Sequence, residues 1–88
     1  MEIRELRAFI AVLEEGGLFA AARRLHVSQS ALSQTVRSLE RRLGARLLER
    51  GHAGVTATEL GALLLREAKS LVEHHDRARP VTTPPRPG

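Results

Sequence analysis

The 88-residue chain has no cysteine, no tyrosine and no tryptophan, and a single lysine, Lys69. Without cysteine there is no disulfide framework, no thiolate zinc site and no cysteine nucleophile. Two phenylalanines make up the whole aromatic complement. Readers of single strands and RNA loops stack bases on aromatic side chains, and this chain has almost none to offer. No apolar run approaches the ~18 residues that span a bilayer, and Met-Glu-Ile-Arg-Glu does not open a signal peptide. The expectation is a soluble, cytoplasmic protein with no membrane partner. Eighty-eight residues leave room for one small domain, which excludes a two-domain enzyme with a cleft. No nucleophile, base and orienting group recur at workable spacing, so no catalytic residue is expected. His26, His52, His74 and His75 fall in three different elements without clustered acids, so neither a metal nor any other cofactor is expected.

Charge is plentiful, and it is uneven. Between Arg23 and Arg50 stand seven arginines (23, 24, 37, 41, 42, 46, 50) against Glu40 and Glu49, a net of +5, while all other residues together come to −1. A basic stretch in an otherwise balanced chain is the footprint of a nucleic-acid surface. The scarcity of aromatics favours duplex DNA over single strands.

Hydrophobic residues, 42% of the chain, recur with a helical period. Ile3, Leu6, Phe9, Ile10 and Leu13 mark a first helix that ends at Gly16-Gly17. Leu18, Ala21, Ala22 and Leu25 give a shorter second helix whose alanines let another backbone lie close. His26-Val27-Ser28 connects it to a third helix, with Ser28 as N-cap and Gly44 as terminator. Arg46–Arg50 and Val55–Ala57, separated by Gly51-His52-Ala53-Gly54, predict a small β-hairpin. Thr58 then caps a long helix from Glu59 to about Arg79, and Pro80 stops it. Three prolines among the last eight residues predict an extended tail.

The third helix is the most informative element. At ~100° per residue from Gln29, Leu32, Val36, Leu39 and Leu43 fall between ~280° and ~340°, a core stripe. Gln29, Ser30, Ser33, Gln34 and Arg37 fall between ~0° and ~140° on the same count. That outer face holds two amides, small hydroxyls and an arginine, with no acid. Gln pairs bidentately with adenine, Arg with guanine, and Ser with base edges or phosphate. An ordinary solvated helix face mixes Glu with Lys instead.

A short helix, a tight connection and a longer helix with a polar outer face predict a helix-turn-helix, and the hairpin makes it winged. Here the chain resembles the N-terminal domain of LysR-type transcriptional regulators. The resemblance is carried by Leu6-Arg7-Ala8-Phe9, by Ala21-Ala22-Arg23-Arg24-Leu25-His26-Val27-Ser28-Gln29-Ser30-Ala31-Leu32-Ser33, and by Leu39-Glu40-Arg41-Arg42-Leu43-Gly44. Leu47-Leu48-Glu49-Arg50 and Thr58-Glu59-Leu60-Gly61 extend it, in order and without gaps from about residue 2 to 75. It implies a bacterial regulator that binds duplex DNA as a homodimer through a long linker helix. Members normally continue into a ligand-sensing domain, so a small-molecule effector would act through a domain outside these residues. By position, Gln29, Ser30, Ser33 and Gln34 match base-facing residues, Ser28 and Arg50 match backbone-contacting ones, and His52 lies at the wing tip. Ser30 stands where many members have proline, Gln34 where arginine is common, and His52-Ala53-Gly54 where many place an arginine.

The fold expected is therefore mainly α: a winged helix-turn-helix over residues 1–58 with a three-helix core and a small hairpin wing. A linker helix for dimerisation follows over 59–79, and a proline-rich tail over 80–88. The spacing of Leu64, Ala68, Leu71, His75 and Ala78 predicts a short coiled-coil seam between two copies. A helical interaction module without specific DNA binding is the alternative, but it gives no use to the arginine-rich window or the acid-free helix face.

Overall fold

A computed structural model describes residues 2–78. Its elements are α1 (Ile3–Glu15), α2 (Leu18–Leu25), α3 (Gln29–Leu43), β1 (Leu48–Gly51), β2 (Gly54–Ala57) and α4 (Glu59–Ala78). The mainly helical winged helix-turn-helix expected from the sequence is the architecture observed. The tail expected at 80–88 lies outside the described residues.

The sequence singled out one apolar stripe on α1, but the helix buries two. Ala8, Ala11 and Val12 meet Ala21 and Ala22 of α2 and Leu32 and Val36 of α3. On the other side Leu6, Phe9 and Ile10 meet Leu39, Leu47 and Ala68. The small side chains of α1 and α2 let the two backbones approach, as the alanines of α2 predicted. Phe9, Leu6, Leu39 and Leu47 are the largest fully enclosed side chains; removing each from water stabilises the fold by roughly 1.5–3 kcal/mol. Leu43, expected in the α3 stripe, is instead 41% exposed. It is the last residue of α3, where only the first turns of α4 lie alongside.

The caps fall where expected. Ser28 Oγ accepts from the Ala31 N–H at 3.0 Å, and Thr58 Oγ1 accepts from the Gly61 N–H at 3.0 Å. Thr58 also donates to the Arg46 carbonyl at 2.8 Å, so one side chain starts α4 and ties it to the loop before the hairpin.

β1 and β2 pair antiparallel, Leu48 opposite Ala57 and Gly51 opposite Gly54. The hairpin thus begins two residues later than predicted, and its turn is His52-Ala53 alone. Arg46 and Leu47 precede the ladder, where Glu40 of α3 meets the backbone: its Oε2 accepts from the N–H groups of Leu47 (2.7 Å) and Leu48 (3.3 Å). At the other strand the Val55 N–H donates to the Gly16 carbonyl at 3.0 Å. Gly54, at φ 105°, is pressed so closely there that a Cβ would lie 2.5 Å from the Gly16 oxygen. The wing is seated on the α1–α2 turn and on α3, not held on a loose stalk.

Candidate nucleic-acid interface

α3 is anchored along its inner stripe, with Leu32, Val36 and Leu39 almost fully enclosed. This anchoring turns Gln29, Ser30, Gln34 and Arg37 outward, all exposed, with Ser33 half-buried beside them. The connection from α2 is tight because His26 adopts a left-handed conformation, φ 58°. The N-cap bond engages Ser28 Oγ as an acceptor and leaves its hydroxyl hydrogen able to donate outward. Thr35 hydroxyl donates to the Ala31 carbonyl at 3.0 Å.

The arginine-rich window is less uniform than its composition suggests. Arg24 reaches Glu14 at 2.9 Å and Glu15 at 3.3 Å, and Arg42 reaches the buried Glu5 at 3.5 Å. Those three acids lie outside the window, so counting charge along the chain missed their pairing. Bonds from Lys69 first, then Arg24, hold the Glu14 carboxyl below its ordinary range. Arg23 lies over the Phe19 ring, 5.8 Å from its centre, a cation–π contact. Arg37, Arg41, Arg46 and Arg50 meet no carboxylate within ion-pair distance among the described residues.

Three of these four converge. Arg37 from α3, Arg46 from the loop and Arg50 from β1 line a cleft of about 210 Å³ between the outer face of α3 and the hairpin. Ser33 lines it as well, over a floor of Val12, Leu18, Val36, Leu48 and Val55. Glu40 is the acid in the lining, and its Oε2 is occupied by the two backbone donors. Arg46 was counted in the basic window, but the sequence reading gave it no role; nothing in the one-dimensional pattern aligns it with Arg37. His52 stands exposed at the hairpin tip, apart from the cleft. Among the described residues no group of His, Cys, Asp or Glu could hold a metal ion, and no helix is long and apolar enough to cross a membrane.

The pattern of bacterial regulatory helix-turn-helix proteins of the LysR family matches residues 3–62. This chain belongs to the LysR family. Among its relatives, the HTH-type transcriptional regulator ClcR of Pseudomonas putida is 50% identical over 72 residues, which are 82% of this chain and 24% of ClcR. The crystal structure of CbnR, a LysR family transcriptional regulator, superposes with a TM-score of 0.86 at 45% identity, covering 89% of this chain and 27% of CbnR. The crystal structure of the CbnR_DBD–DNA complex gives 0.84 at 45% identity, covering 89% of this chain and 90% of that one. The chain spans about a quarter of the length of the curated relatives it matches. Those relatives are transcriptional regulators, not enzymes.

Within this LysR-family domain, α4 departs from the predicted seam. Ala68 is fully enclosed by its own chain, and Leu64 packs partly into the same cluster with Leu65 and Val72. Gly61 is pressed against the Leu47 backbone, Arg7 of α1 pairs with Asp76, and Lys69 reaches Glu14 at 3.0 Å. Ala68 therefore cannot serve a seam between copies, and Leu64 serves it at most by its edge. The exposed leucines are Leu60, Leu63 and Leu71. At ~100° per residue, Gly61, Leu64, Leu65, Ala68 and Val72 occupy ~100° of α4, and Leu60, Leu63 and Leu71 sit beside them over ~80°. Leu71 and Ala78 remain outward, and His75 is exposed beside Ile3, Arg4 and Arg7. The spacing identified an apolar strip but not the boundary between the part α1 covers and the part left open.

Proposed function

We propose that this LysR-family domain binds duplex DNA sequence-specifically as a bacterial transcriptional regulator, with α3 in the major groove of palindromic half-sites. The observation that carries this reading is the outer face of α3: amides, hydroxyls and an arginine, exposed, free of acids and continuous with the arginine cleft. Gln29, Ser30, Ser33, Gln34 and Arg37 address base edges, Ser28 and Arg50 address the backbone, and His52 lies at the wing's leading end. That a neighbour of 45% identity is a DNA complex supports the DNA-binding reading.

The binding unit is a homodimer joined along the outer strip of α4. Leu60, Leu63 and Leu71 are each close to half exposed, and they continue into an apolar groove lined by Leu43 and Leu47. Two copies offer two recognition helices, which favours an interrupted palindrome over a single half-site. Such a protein works in the bacterial cytoplasm, on the nucleoid, and any small-molecule effector acts through parts of its relatives that these residues do not match.

The test is selection of bound sites from a random duplex pool, followed by titration of the recovered site and of random DNA at low salt. A recovered inverted repeat, bound far more tightly than random DNA, is the expected result. No binding to either duplex would leave only a helical interaction module.

A further inference from the structure

A winged domain can touch DNA with the tip of its hairpin or with the chain behind it, and the cations here lie behind the tip. The tip, Gly51-His52-Ala53-Gly54, carries neither arginine nor lysine. Arg50 stands one pair behind the tip, opposite Val55, and Arg46 precedes β1; both line the cleft, with Arg37 and Ser33 across it and Glu40 also in the lining. Reading the minor groove takes cationic or amide side chains that reach into it, or apolar wedges between base steps. An alanine between a histidine and a glycine supplies no amide and no wedge.

The cleft is also held in one geometry. Glu40 pins the start of β1 to α3 through two backbone donors. The Val55 N–H and the close approach of Gly54 pin β2 to the Gly16 carbonyl. The backbone that carries Arg46 and Arg50 is therefore tied to α3 and to the α1–α2 turn. Two arginines on the wing side of one small concavity, Arg46 and Arg50, suit the oxygens of a phosphate backbone running along it.

We infer that this wing is a phosphate clamp: Arg46 and Arg50 each hold a DNA backbone phosphate beside the major groove, Arg37 and Ser33 across the cleft keep to base edges, and the hairpin tip reads no bases in the minor groove. This rests on the DNA-binding reading above and adds Arg46 as a binding residue. It also makes the hairpin indifferent to sequence, so that discrimination falls to α3.

The test uses the 88-residue chain, its R46A and R46K variants, and two duplexes, the selected site and random DNA, each titrated across a salt series. Arg46 is exposed and its side chain enters no core contact, so R46A should keep the helical circular dichroism of wild type. R46A should weaken both duplexes by a similar factor and make the log–log salt slope shallower by ~0.9 per lost contact, hence ~1.8 for a dimer. R46K, which keeps the charge, should restore most of the slope. In a second arm, a netropsin-class minor-groove ligand saturating A·T steps under the wing should leave the wild-type affinity unchanged. An unchanged slope in R46A, or displacement by that ligand, would overturn the clamp while DNA binding itself stands. Failure of wild type to bind either duplex at low salt would overturn both readings together.

Discussion

Gly61→Ala sets two rules against each other, and the structure decides the sign. Gly61 is the third residue of α4, and by helix propensity alone alanine there should stabilise by about 1 kcal/mol. The geometry opposes this. A Cβ at residue 61 would lie 2.0 Å from the Leu47 carbonyl oxygen and 3.0 Å from its carbonyl carbon. Both are backbone atoms, so no side chain can swing aside. The same oxygen accepts the Thr58 N–H at 3.0 Å, and the Leu47 side chain is fully enclosed in the core. Restoring ordinary contact needs a shift of more than an ångström, which strains that hydrogen bond, worth about 0.5–1.5 kcal/mol, and disturbs the packing around Leu47. Overpacking of a well-filled core costs typically ~1–3 kcal/mol, and the hydrogen-bond loss offsets most of the propensity gain. The expected outcome is a net destabilisation of ~1–3 kcal/mol. For a domain of this size each kcal/mol moves the melting temperature by about 4–8 °C, so Tm should fall by roughly 5–20 °C. Circular dichroism melts of wild type and variant at one protein concentration would measure it, since dimerisation makes Tm concentration-dependent. A Tm equal to or above wild type would refute the reasoning and mean that α4 can lift from the 44–47 loop at no cost.

Three further outcomes are expected. Gln29→Ala should cost about 1–3 kcal/mol on the selected site and much less on random DNA; equal losses on both would reduce Gln29 to a positioning residue. Leu71→Glu places two like charges in the proposed α4 seam without touching the core, so sedimentation should report a folded monomer with weakened binding to a two-half-site operator. A wild type that is already monomeric at micromolar concentration and still binds the full site tightly would remove the dimer. Glu14 is held below its ordinary pKa of 4.5 by Lys69 and Arg24. Its contribution to stability is therefore present above pH 4.5 and lost as pH falls through its lower, folded value. Glu14→Gln should be less stable than wild type at pH 7, with the gap closing on acidification below pH 4.5; a gap constant from pH 7 to pH 3 would show that the pairing adds nothing.

Local chemistry was legible in the sequence, and long-range pairing was not. Ser28 and Thr58 cap because a hydroxyl before an apolar-periodic run has one obvious use, and both do so in the structure. The glycines at 51 and 54 marked the hairpin, yet they sit in its ladder, because the turn needs only His52-Ala53. The strand start was misplaced by two residues, and a short window does not show what meets the backbone there: Glu40, seven and eight residues earlier, accepts from the N–H groups of Leu47 and Leu48. Ala68 was misplaced in the α4 seam in the same way. Ala68 looks like a close-approach residue for a second chain, and it is one for α1 of its own.

The same distinction governs the charge. Seven arginines in one stretch suggested a uniformly basic surface, but Glu5, Glu14 and Glu15, all on α1, engage Arg42 and Arg24. Of the five arginines of the stretch that these pairings leave, Arg23 lies over Phe19 and Arg41 farther along α3, while Arg37, Arg46 and Arg50 line one cleft beside the acid-free face of α3. A field summed from unpaired charges on one side steers a polyanion to that side, whereas the same net charge scattered would attract it in every orientation. On the DNA-binding reading proposed above, the acids of α1 would then serve orientation as well as stability. They pair with Arg24 and Arg42, which would leave the α3 side as the place where approach and base contact coincide.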